Sequence, residues 1–192
     1  MFPSFNHSGV LPPFLPHLPH GSAGSLAPFR VSLQNFVERF ATSSYRIDIL
    51  TGFLNYRKAL KDAGIKHGFQ WVDGSFVENV EVNRGRPPSD IDIITFAYRP
   101  EEFQGKENWE KLVGENDQLF KPEISKRKFL CDAYFIDLHL PPHIIVNRTS
   151  FWYGLFSHQR ESYLWKGMLE ISMADDEDEI ASIVNGGDKD AS

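Results

Sequence analysis

The segment that constrains this chain most is Asp90-Ile91-Asp92-Ile93-Ile94-Thr95-Phe96-Ala97. Ile91 to Ala97 reads as a strongly apolar strand, and successive side chains of a strand alternate between the faces of a sheet. Asp90 and Asp92 therefore leave from one side while Ile91 and Ile93 enter the other. At a rise of roughly 3.3 Å per residue the two carboxylates stand about 7 Å apart along one face. A fold built on this strand has to bury it while leaving its first turn of pleat open to polar chemistry.

The rest of the chain reads as α+β, helices first and then a small sheet of three to five strands. Residues 1 to 29 are rich in Pro, Gly, Ser and His and read as an arm laid on the domain surface. Ser32 is a candidate N-cap ahead of Leu33, Phe36, Val37 and Phe40 at helical spacing. A second helix runs from about Ser44 to Ala63 with Gly64 as its stop, and its charged side, with Arg46, Arg57, Lys58 and Lys61, reads as solvated. From Phe69 the period changes to that of a short strand ending at Gly74-Ser75. A helix is expected over 106 to 118, the third and longest strand over Phe129 to Leu140, and a fourth over Trp165 to Met173. Lys126-Arg127-Lys128 reads as a solvated lead-in to the third strand. The domain thus spans 30 to 173.

Charge is unevenly distributed. The net charge is -6, yet residues 174 to 192 hold seven acids and one Lys, which leaves 19 acids and 19 bases in the body. A neutral body offers no long-range footprint for duplex DNA, and the acidic tail reads as a solvated, disordered end. Cys131 is the one cysteine, so no intrachain disulfide forms; a reducing, cytoplasmic location is expected. No stretch approaches the roughly 18 apolar residues of a membrane span. Gly-Lys-Ser/Thr is absent, which removes a P-loop, and Ile94 and Thr95 stand where a calcium loop beginning at Asp90 needs an oxygen ligand and Gly.

Two carboxylates on one strand face suit Mg²⁺, which takes oxygen ligands and shares them with phosphate. A third acid completes a two-metal site. The third strand offers Asp132 and Asp137, whose odd separation sends them to opposite faces, so one of them joins Asp90 and Asp92. Asp132 is the preferred one and Asp137 the alternative. Gly74 and Ser75 are separated from Asp90 by the fourteen residues 76 to 89; Gly74 lets backbone approach a phosphate and Ser75 has a hydroxyl and an amide to offer it. Lys166, ahead of Gly167, is a further candidate to reach a triphosphate.

Gly74-Ser75, Asp90-Ile91-Asp92 in a strand, and an acid in a later strand together resemble the DNA polymerase β-like nucleotidyltransferase superfamily, in particular its minimal stand-alone bacterial members. The resemblance covers roughly residues 69 to 140. It implies a nucleotidyltransferase-like small mixed sheet with N-terminal helices packed on one face, and a catalytic set of Asp90, Asp92 and Asp132 holding two Mg²⁺ ions. Gly74 and Ser75 would hold the triphosphate, and Asp92 or Asp132 would assist deprotonation of the acceptor. The implied reaction moves a nucleoside monophosphate from an NTP to a hydroxyl of a protein or tRNA acceptor. Minimal members often work in toxin-antitoxin or phage-defence pairs, which makes a cognate toxin or antitoxin an expected partner. The alternative is an inactive relative that binds an NTP or a partner. The loop from Ser75 to Asp90, with Arg84-Gly85-Arg86 and Pro87-Pro88, is longer than in compact members.

Overall fold

A computed structural model of the chain describes residues 3–177 and 180, apart from 20 and 23. Its architecture is α+β. Strands β1 (Phe29–Arg30), β2 (Gly68–Asp73), β3 (Ile91–Ala97), β4 (Cys131–Asp137) and β5 (Leu169–Ser172) form one mixed sheet in the order β1-β5-β2-β3-β4. β2 runs antiparallel to both β3 and β5, whereas β3 and β4 run parallel. Parallel neighbours need a long crossover, and here it is built from three helices: α4 (Lys106–Glu115), α5 (Asp117–Phe120) and α6 (Pro122–Phe129).

The N-terminal helices form as their sequences require. In α1 (Leu33–Phe40) the Ser32 hydroxyl accepts from the Asn35 amide, and Leu33, Phe36, Val37 and Phe40 are all buried. α2 (Ser44–Asp62) is capped in the same way by Ser43. Beyond its end the chain turns at Gly64, where φ is +86°. A short helix, α3 (Val80–Arg84), lies in the loop between β2 and β3. α7 (Pro142–Phe156) covers the other face of the sheet, with Trp152 against Tyr134 and Tyr153 against Trp71. No helix among the described residues is long and apolar enough to cross a membrane.

Five expectations need correction. The 106 to 118 helix is two helices broken at Asn116. Lys126-Arg127-Lys128 is the last turn of α6: Pro122 opens that helix, the three cations face its negative end, and Leu130 stops it at a φ of 56°. The N-terminal arm is anchored in the core. Val10 and Leu11 are buried, the Gly167 amide donates to the Leu11 carbonyl, and Val10 bridges to Glu78. Arg46 and Arg57 are buried rather than solvated, Arg46 on the Phe76 and Glu78 carbonyls and Glu81, and Arg57 on Gln70 and Glu177. The start of the acidic tail also departs from a free end, because Asp175 accepts from the Leu33 amide and Glu177 and Ile180 are buried. Its remainder, 178–179 and 181–192, lies outside the described residues.

Candidate functional site

The register of three strands assembles the site. Asp92 on β3 is the direct partner of Asp73 at the end of β2 and of Asp132 on β4, and neighbouring strands lie about 4.8 Å apart. Asp90 precedes Asp92 by two residues and shares its face. All four acids line one cavity of about 250 Å³, together with Gly74 and Ser75.

Gly74 is required here twice over. Its φ of +83° and ψ of -167° belong to a region that L side chains avoid. A Cβ at this position would also run into Asp92 Oδ2. Backbone and carboxylate are thus in contact across the turn, and a side chain would prise them apart. Ser75 then opens a single 3₁₀ turn, Ser75–Val77, whose apolar members Phe76 and Val77 are buried. The turn is held from below by packing, which leaves Ser75 on the cavity wall.

Negative charge is in excess. Six carboxylates line the cavity against four cations. Asp92 has neither a hydrogen bond nor an ion pair among the described residues, and burial together with the charges of Asp90 and Asp132 pushes its carboxyl up to about 6. Burial and the Asp132 carboxylate push the Tyr134 phenol upward. Asp90 accepts from Ser89 Oγ at 2.9 Å and pairs with Lys126 Nζ. Arg160, an exposed residue on the rim, has no ion pair among the described residues.

Beneath the turn lies a charged hub whose pairings join residues far apart in the chain. Lys166 Nζ sits 2.9 Å from Asp73 Oδ1 and 3.0 Å from Glu78 Oε1, and it contacts the Gly74 carbonyl at 3.4 Å. Burial pulls the ammonium down, but the two carboxylates outweigh it and the net shift is upward. Burial pushes Asp73 up to about 7 despite Lys166. Asp73 Oδ1 is thus held by the Lys166 ammonium as a buried ion pair. Glu78 also takes Gln159 Nε2 at 2.7 Å and faces Arg84 at 3.6 Å, which ties the loop before β5 to the Gly74 turn. The one local hint was Asp73 directly before Gly74.

Two sequence expectations change. Lys166 lines the cavity, but Asp73, Glu78 and Gly74 take its donors; it fixes the shape of the turn instead of offering a free ammonium to phosphate. Asp137, the alternative third acid, is removed from the site. It lies at the far end of β4 on the opposite face, paired with Arg99 at 2.6 Å and accepting from the His139 amide. Asp132 remains. Among the described residues no three acidic, His or Cys side chains are closed up as an assembled metal centre, and Lys126 is paired with one Asp90 oxygen. The donor set still fits Mg²⁺: it is all oxygen, it carries surplus negative charge, and Asp92 is left for an ion to satisfy.

No curated protein and no solved structure matches the chain. The model of a family of unknown function, DUF6932, matches residues 3–172, the greater part of the sequence. The chain therefore belongs to the DUF6932 family.

Proposed function

We propose that this protein is a Mg²⁺-dependent nucleotidyltransferase of the DNA polymerase β-like superfamily, moving a nucleoside monophosphate from an NTP to a hydroxyl of a protein or RNA acceptor. One observation carries the reading: three carboxylates, Asp90, Asp92 and Asp132, share one face of two adjacent strands beside a turn that only glycine can make.

Asp90, Asp92 and Asp132 are the residues that would hold the ions. Bound Mg²⁺ supplies positive charge to the triphosphate and makes the acceptor hydroxyl more acidic. The chain's own groups do the positioning. Gly74 brings backbone close to the phosphates, Ser75 adds a hydroxyl donor, and Arg160 offers a planar fork from the rim. The acceptor oxygen forms a bond to the α-phosphorus, and Asp92 or Asp132 takes its proton. The bond from the α-phosphorus to the bridging oxygen breaks, and pyrophosphate leaves with that electron pair. Alignment and charge neutralisation supply the rate, as in phosphoryl transfer generally.

The test is label transfer. The full chain is incubated with each α-labelled NTP, Mg²⁺ and cell protein or RNA as acceptor. The expected result is metal-dependent labelling that Asp92→Ala abolishes. Tight NTP binding without labelling would instead identify an inactive nucleotide-binding protein, and an absence of both would sink the reading.

A further inference from the structure

We propose that Lys126 holds a cation's place beside Asp90 in the resting protein and passes to a phosphate oxygen when the metal-bound triphosphate arrives. This rests on the nucleotidyltransferase reading and adds a binding residue to it. Of the three consecutive cations that end α6, Lys126 alone lines the cavity; Lys128 lies over the Phe129 ring. Lys126 Nζ pairs with Asp90 Oδ2, while Ser89 holds the other oxygen.

The two partners differ in freedom. The Asp90 side chain is 13% exposed, whereas that of Lys126 is 51% exposed and stands on a four-carbon stem. A divalent ion at Asp90 Oδ2 would repel an ammonium on the same oxygen, so one must leave, and Lys126 is the partner able to move. The nearest new anion it then meets is the triphosphate, to which Lys binds as a compact point charge. The neighbouring acid shows that the site awaits more positive charge than Lys126 supplies: Asp92, subject to the charges of Asp90 and Asp132, has no ion pair among the described residues.

The handover makes the two ligands respond in opposite directions. Binding of Mn²⁺ alone to the full chain is followed by electron paramagnetic resonance, and binding of inorganic tripolyphosphate with Mg²⁺ by calorimetry. Lys126→Met is expected to bind Mn²⁺ about two- to fivefold more tightly and Mg²⁺-tripolyphosphate about two- to fivefold more weakly, the range for one partly exposed ion pair. Lys126→Arg should stay near the wild-type protein for both. If Lys126→Met shifts the two affinities in the same direction, or shifts neither, while Asp92→Ala loses Mn²⁺, the handover is wrong and the metal site stands. Equal Mn²⁺ binding by the wild-type protein and Asp92→Ala would overturn both proposals.

Discussion

On the α2 face of the sheet, Arg57 is fully buried and every branch of its guanidinium is met. Nε donates to Glu177 at 2.7 Å, Nη1 to Gln70 at 2.8 Å and Nη2 to the Ser172 carbonyl at 2.8 Å. Lys61 holds the second Glu177 oxygen, and Gln70 passes its own amide to Thr95. Three residues further along β2, on the α7 face, Asp73 sits beside Asp92: Lys166 meets the first, and the second has no ion pair among the described residues. The same strands therefore carry a closed charge network and an open one. Burying charge without a partner is costly, so the open network lowers the stability of the isolated chain. That cost is the usual mark of a site shaped for a ligand.

The sharpest contrast comes from removing the open charge. Asp92→Asn should cut label transfer by at least about 1,000-fold, roughly 4 kcal/mol of transition-state stabilisation, without lowering the thermal unfolding temperature. A stability loss in this variant would place Asp92 among structural charges. Arg57→Met should behave in the opposite way. It leaves buried Glu177 with Lys61 alone and Gln70 without its Arg57 donor, and should cost about 3 kcal/mol, a drop of about 10 °C by calorimetry. Transfer per folded molecule should be unchanged, since Arg57 does not line the cavity. Gly74→Ala joins the two regions, because it strains the turn and pushes Asp92 aside. About 1–3 kcal/mol of stability should be lost, together with most NTP binding, read by unfolding and by titration.

The smallest effect is a pH slope. The folded protein holds protons on Asp92 up to about pH 6 and on Asp73 up to about pH 7, whereas the unfolded chain gives them up near pH 4. Across that window the unfolded state binds fewer protons, so these groups make metal-free stability fall as pH rises, and the fall ends above about pH 7. Unfolding scans without divalent ions should show a decline of a few degrees, and Asp92→Asn should flatten its lower part.

What was readable in the sequence follows from range. The register of Asp90, Asp92 and Asp132 is a consequence of two-residue periodicity, and the odd spacing from Asp132 to Asp137 by itself sends the two candidate acids to opposite faces. Ser32, Gly64 and the Gly74 turn are likewise local signals. Arg57 could not be read this way. Its neighbours on α2 look like a solvated stripe, and its partner Glu177 lies 120 positions away in a segment whose composition suggests a free tail. Lys166 was visible as a cation near the site, but its commitment to Asp73 and Glu78 depends on β5 docking against β2. α6 was missed although Pro122 and the basic last turn marked both its ends. α7 was missed because Phe156 is its only buried residue, so no apolar stripe stands out from its sequence.

Thermal unfolding of the wild-type protein and Asp92→Asn across a Mg²⁺ titration tests most directly whether the unpaired acid exists for a metal. The expected curves cross. Without Mg²⁺ the variant is at least as stable, and with Mg²⁺ the wild-type protein rises above it while the variant stays flat. Parallel curves, or a variant that starts lower and gains as much from Mg²⁺, would contradict a cation site at Asp92.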